Sequence, residues 1–202
     1  MKPSLTKVIQ WGHELLAEVV GAGDLAVDLT AGNGHDTLAL AHMVGTTGQV
    51  VAFDIQPRAL SETADKVKAL AVPVRFHYDQ TEPLAQSAGV DLVLLGHENF
   101  AWVVNGTPKV IIANLGFLPG GAKDIITRPD STLAALDQAL AALASGGRLA
   151  VVVYPGHPGG AEEAAKVSGF LSGLNEGSYQ VLQVKVANRL QAPFLLVVEK
   201  RD

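Results

Sequence analysis

Val27-Asp28-Leu29-Thr30-Ala31-Gly32-Asn33-Gly34-His35-Asp36-Thr37 is the stretch that decides the fold. It begins in an apolar run, Leu25 to Leu29, passes two glycines separated by one residue, and continues into a helical pattern from about His35 to Val44. Strand, tight turn and helix follow in that order. Glycine at 32 and 34 admits positive φ and lets a ligand approach where a Cβ would collide. The helix start beyond it offers unpaired N–H groups to an electron-rich ligand. The unit reads as a nucleotide-type binding turn; the plainer alternative is a bare strand-to-helix turn.

Details of the turn narrow the nucleotide. A dinucleotide fingerprint carries a third glycine, G-x-G-x-x-G, but Thr37 stands at that position, which weakens the NAD reading. An acid at the strand end, Asp28, lies four positions before Gly32. This resembles motif I of the class I S-adenosylmethionine-dependent methyltransferases, acid-x-G-x-G-x-G, with Thr30 in place of the first glycine. The resemblance implies S-adenosylmethionine as cofactor, held around Asp28, Thr30, Gly32, Asn33, Gly34, His35, Asp36 and Thr37. That ligand has no phosphate to need a third glycine, and its α-amino group is one that Asp28 could approach directly or through water.

Composition bounds the rest. The 202 residues suffice for one α/β domain with a full core, and no linker-like stretch divides them. With 48% hydrophobic and 17% charged residues, the chain reads as globular with a buried sheet. Met1-Lys2-Pro3-Ser4 leads into an amphipathic pattern and no apolar run is long enough for a membrane span, so a cytoplasmic enzyme without a membrane partner is expected. Cysteine is absent, which excludes disulfides and thiolate chemistry, and the six histidines are scattered, so no metal is expected. A net charge of -5 argues against a protein that coats nucleic acid; any RNA must be gripped by a local patch.

Before the turn, residues 5 to 20 place Leu5, Val8, Ile9, Leu15, Leu16, Val19 and Val20 on one face of a covering helix; Trp11 and His13 read as packing or solvent-facing. After it, Gln49 to Phe53 forms a second strand ending in Asp54, 22 residues beyond Gly32, where an acid can accept hydrogen bonds from both ribose hydroxyls. Gln56 is close enough to assist, and Pro57 opens a helix. Val72 to Tyr78 and Val90 to Leu95 both look like short strands, one of them the third parallel strand. Either Asp79 or Gly96-His97-Glu98-Asn99 then lies near the adenine.

Val110 to Ala113 is a strand that ends in Asn114-Leu115-Gly116-Phe117-Leu118-Pro119-Gly120-Gly121. The position resembles the Asn-Pro-Pro-Tyr motif of amino-group methyltransferases, which implies that the Asn114 oxygen and the Leu115 or Gly116 carbonyl accept hydrogen bonds from a target NH₂. A capped helix from Ser131 or Thr132 to Ala144 and a strand from Leu149 to Val153 follow; the strand delivers Tyr154-Pro155-Gly156-His157-Pro158-Gly159-Gly160 to the same sheet edge. A helix from about Ala161 to Leu174 and two closing strands, Tyr179 to Val186 and Phe194 to Glu199, complete the chain. With no helix between them, these strands form a hairpin, so the last is antiparallel.

Together with Phe53-Asp54-Ile55-Gln56 and His97-Glu98-Asn99, these strings resemble the YtqB (MnmM) family of small bacterial methyltransferases over nearly the whole chain. The resemblance implies a single Rossmann-like α/β domain: a seven-stranded, mostly parallel sheet with an antiparallel last strand and helices on both faces. It implies methylation of the aminomethyl group of 5-aminomethyl-2-thiouridine at the tRNA wobble position; other RNA or small amines, or non-catalytic nucleotide binding, are the competing readings. Asn114, Leu115, Gly116, His157 and Tyr154 would be catalytic; Asp54, Ile55, Gln56, His97, Glu98 and, in a second role, Asn114 would join the cofactor site. Lys123, Arg128, Pro155, Gly156 and Arg189, with Lys185, would meet the anticodon region of the tRNA; a homodimer stays open. The chain departs from the family in Leu95-Gly96 before His97, in Ala122-Lys123, in the 188–193 loop, and in residues 72 to 89, which look like an insertion.

Overall fold

The computed structural model describes residues 7–80, 82–116, 118, 120, 126–189 and 191–201. Helices and strands alternate: α1 (Val8–Ala17), β1 (Leu25–Asp28), α2 (His35–Val44), β2 (Gln49–Asp54), α3 (Pro57–Val67), β3 (Val74–His77), β4 (Gly89–Leu94), α4 (Phe100–Val103) and β5 (Val110–Asn114). Then come α5 (Pro129–Ala142), β6 (Arg148–Val153), α6 (Gly160–Ser172), β7 (Tyr179–Val184) and β8 (Phe194–Lys200). One sheet takes all strands in the order β3-β4-β2-β1-β5-β6-β8-β7, parallel from β3 to β6. β8 runs antiparallel to both β6 and β7, as the closing hairpin requires.

Alternation along the strands divides the apolar residues between two cores. Val27, Val51, Phe53, Ile111, Ala113 and Val151 face α5 and α6 through Leu136, Leu140, Val167 and Leu171. Ala26, Val50, Ala52, Val110, Ile112 and Ala150 face α1, α2 and α3 through Leu16, Leu40, Val44 and Leu60. A parallel sheet covered on both faces reads as continuous apolar runs. The strand order reverses at β1, whose neighbours are β2 on one side and β5 on the other, and a crevice beyond the carboxyl ends of the strands is where such sheets bind ligands.

The sheet has eight strands, not seven. Both short runs after α3 are strands: β4 pairs with β2, and β3 is added outside it, built from the segment that departs from the family pattern. A buried carboxylate ties this edge down. Asp91 of β4 accepts from the Arg75 guanidinium at 2.7 and 2.9 Å, from Gln49 Nε2 at 2.8 Å, and lies 2.9 Å from His77 Nε2. Burial alone would push its pKa up; the Arg75, Gln49 and His77 donors outweigh that and hold it below the ordinary carboxylate value. A second difference concerns α5, which starts at Pro129 with extended Arg128 before it, so no Ser131 or Thr132 cap forms. Proline at the first helical position supplies the start instead, Ser131 Oγ donates back to the Arg128 carbonyl, and Thr132 turns into the core.

Candidate active site

A cleft of about 1110 Å³ opens at the carboxyl ends of β1, β2, β4, β5 and β6. Thr30, Gly32, Asn33, His35, Asp36, Asp54, Ile55, Gln56, His97 and Glu98 line one part of it; Asn114, Leu115, Gly116, Arg128, Tyr154, Gly156 and His157 line another. Asp28, Gly34, Thr37, Asp79, Pro155, Lys185 and Arg189 are not on its wall. Lys123 lies outside the described residues.

Asp28 and Gly34 differ from their expected places for a steric reason. Asp28 is fully buried behind the cleft wall, where its carboxylate accepts from the Thr30 backbone N–H at 3.0 Å and from Thr37 Oγ1 at 2.6 Å. Thr37 is thus an anchor for Asp28 and not a wall residue. Burial, and after it the negative field of Asp36, pushes the Asp28 pKa up to about 7, with a smaller contribution from Asp54. Gly34 adopts φ 73°, and a Cβ there would lie 2.6 Å from Thr63 Cα. This glycine serves the contact between α2 and α3. Gly32, by contrast, would place a Cβ no nearer than 3.6 Å to any neighbour, and it faces the cleft.

Asp54 stands at the end of β2 on a backbone cradle. Gly32 N–H donates to Oδ2 at 3.0 Å and Gln56 N–H to Oδ1 at 2.9 Å. Burial pushes its carboxyl up while these N–H groups work the other way. Each oxygen retains a further lone pair, so the group can accept from a diol in the cleft. Across from it, His97 follows β4. Its Nδ1 lies 3.1 Å from the Leu29 carbonyl, which can only accept, so Nδ1 carries the proton. Burial lowers the His97 pKa, keeping the ring neutral, and Nε2 is left as a buried acceptor with no partner among the described residues. An orphaned acceptor near a carboxylate able to accept from a diol, with apolar Ile55 and Leu95 on the same wall, fits a purine nucleoside with an exocyclic amine.

The other part of the cleft centres on Asn114. Its backbone N–H donates to Thr30 Oγ1 at 2.8 Å, joining the ends of β1 and β5. Its Nδ2 donates to Asp36 Oδ2 at 3.2 Å, and Asp36 Oδ1 lies 2.6 Å from His13 Nε2 on α1. Burial, then the charge of Asp36, raises the Tyr154 pKa; a hydrogen bond from the Asn114 side chain opposes the rise. Beyond Asn114 the chain is clamped: Gly116 N–H donates to Thr127 Oγ1 at 2.9 Å, and Thr127 N–H donates to the Gly116 carbonyl at 2.9 Å. The buried Glu163 then accepts from Thr127 Oγ1 and from Thr132 Oγ1, each at 2.8 Å. His157 packs against the same turn: a Cβ on Gly116, which has φ 125°, would stand 3.5 Å from its Nε2.

Several contacts here carry no signal in the sequence. Asp36 meets His13 and Asn114 across sequence separations of 23 and 78 residues, and Thr127 meets Glu163 across 36. Val8, Ile9 and Gln10 of α1, with Gln191 and Pro193 before β8, add further wall.

Residues 50–200 match the family described as "Putative rRNA methylase". A chloroplastic tRNA (mnm5s2U34)-methyltransferase of Arabidopsis thaliana is 37% identical over 203 residues, covering 97% of this chain and 70% of the relative. The crystal structure of a protein of Clostridium thermocellum described as a "putative rRNA-methylase" is similar at 34% identity and TM-score 0.85, covering 96% of this chain and 97% of that one. A methyltransferase of Streptococcus mutans, solved in complex with SAH, is 32% identical with TM-score 0.81, covering 96% and 98%.

Proposed function

Because the chain belongs to the rRNA-methylase family, we propose that it transfers a methyl group from S-adenosylmethionine to the aminomethyl nitrogen of 5-aminomethyl-2-thiouridine at the wobble position of tRNA, in the cytoplasm. The named activity of the Arabidopsis relative supports the substrate, and the SAH complex of the Streptococcus relative supports the cofactor. One observation carries the reading: a diol-accepting carboxylate, Asp54, and an amide acceptor, Asn114, share one cleft at the strand switch point.

When bound, the cofactor supplies a methyl group on a sulfonium whose leaving thioether is neutral. The protein's contribution is then mainly orientation, which can reach roughly 7 to 11 kcal/mol. Asp54 would take the ribose hydroxyls, His97 Nε2 would accept from the adenine amine, and Ile55 and Leu95 would line the base's side of the cleft. Asn114 Oδ1 accepts from the substrate amine. The second acceptor is the Leu115 or Gly116 carbonyl; that of Gly116 already accepts from Thr127 N–H and keeps one lone pair. Two accepted N–H bonds aim the nitrogen lone pair along the transfer line. An alkylammonium titrates near about 10.4, and apolar Leu115, Leu118 and Pro193 on the cleft wall disfavour its charged form. Tyr154, with its pKa raised, remains a phenol at neutral pH, so His157 or solvent takes the proton. Arg128 at the rim is positioned for phosphate; Lys185 and Arg189, away from the cleft, would meet the RNA only farther out.

The test is methyl transfer from labelled cofactor to tRNA with and without the aminomethyl group. Label confined to the premodified tRNA, at the wobble nucleoside, is the expected result. Label in ribosomal RNA alone would refute the substrate while leaving the cofactor site intact.

A further inference from the structure

Resting on the reading of Asn114 as the amine acceptor, we infer that the His13–Asp36 pair sets which way the Asn114 amide faces, and so makes the cleft selective for a nucleophile that donates N–H. Asp36 is buried, 4% exposed, and sits in the first turn of α2, where it lines the cleft beside Asn114. An ionised carboxylate accepts and cannot donate. Both its oxygens are engaged, Oδ1 by His13 Nε2 at 2.6 Å and Oδ2 by Asn114 Nδ2 at 3.2 Å.

An amide offers one donor end and one acceptor end of nearly equal size, so packing alone does not choose between them; the hydrogen-bond network does. With Oδ2 of Asp36 against it, the nitrogen end is the only one that fits. A flipped amide would set oxygen against carboxylate oxygen. Oδ1, the amide's acceptor, is therefore left for the substrate.

His13 completes the device from another element. It donates from Nε2 to the carboxylate and fixes the Asp36 rotamer. The side chain of His13 is 23% exposed and that of Asp36 5%, so the pair lies at the inner border of the cleft and is not a solvated surface contact. Asp36 and His13 are positioning residues, acting through Asn114.

Replacing Asp36 by Asn keeps volume and shape but gives Asn114 a partner with its own donor end, which allows the flipped amide. D36N is expected to lower kcat about 100-fold, as misorientation of a reacting group does, with KM for tRNA and calorimetric affinity for SAH changed less than about threefold. Adding D36N to N114A should cost nothing more, since the interaction is already gone. H13L should also lower kcat, and H13Q, whose Nε2 can still donate, should restore most of it. Melting temperatures identify any variant that fails to fold, and the Asn114 side-chain NH₂ resonances, assigned by their loss in N114A, should move in D36N.

Three results would overturn the inference: D36N with wild-type kcat, D36N that loses SAH affinity in step with kcat, or full additivity of D36N and N114A. If N114A itself leaves turnover unchanged, the reading of Asn114 has failed instead, and the two failures are thereby told apart.

Discussion

Replacing Asp28 by Asn should make the protein progressively more stable than the wild type as pH rises. Asp28 is fully buried, and its pKa is pushed from the ordinary 3.8 up to about 7. In that interval the folded protein keeps a proton that the unfolded chain has lost, so rising pH costs stability and the loss is complete once Asp28 ionises in the fold. Each pKa unit is worth about 1.4 kcal/mol, so the full interval corresponds to about 4 kcal/mol, of which some 2 to 3 falls between about pH 5 and pH 8. His97, with its pKa lowered by burial, works in the opposite direction below its unfolded value of 6.5. The comparison is therefore between the two proteins at each pH, where His97 and the other groups that do not interact with Asp28 cancel, while Asp36 and Asp54, which do, contribute to the difference. Denaturant unfolding of wild type and D28N at several pH values between 5 and 8 reads the difference directly. A constant difference across that range would refute the assignment of a protonated Asp28.

Asp54→Ala should lose about 1.5 to 3 kcal/mol of affinity for SAH by calorimetry, and wild-type affinity would remove Asp54 from the ribose site. Gly34→Ala and Gly32→Ala should part company. The first drives a Cβ to 2.6 Å from Thr63 Cα and should cost about 2 kcal/mol or more in stability. The second should cost only about 1 to 2 kcal/mol for its backbone conformation and show its larger effect on cofactor binding; equal melting temperatures with equal loss of binding would contradict the separation. Thr127→Val keeps the shape but strands the Gly116 N–H and one oxygen of Glu163, so stability should fall by about 1 to 3 kcal/mol, and turnover should fall with it because the Leu115–Gly116 turn loosens. Unchanged thermal unfolding of that variant would show that the clamp is not needed.

What could be read from the sequence was whatever short spacing determines. Glycine, acid and strand end lie within ten residues in the 27–37 stretch, Asp54 follows directly from the run before it, and Asn114 closes an unmistakable strand. The strand count was missed because residues 72–78 and 90–95 carry the same alternation, and nothing local says that an added strand joins the edge of the sheet. What packs behind Asp28 and Gly34 is not legible in the motif, because spacing fixes the backbone turn but not its distant neighbours; Thr63, 29 residues on, is what meets Gly34. His13 and Thr127 were invisible as site residues because their partners come from separate helices, and such pairing leaves no periodicity.

The acids crowded at the mouth of β1 and β2 have a consequence for turnover. Asp28, Asp36 and Asp54 are close enough for the latter two each to raise the pKa of the first, so this corner of the molecule favours a cation. The methyl donor arrives with a positive sulfur and departs without it. A pocket whose field favours the charged visitor over its uncharged remnant tilts each round of catalysis toward releasing the remnant.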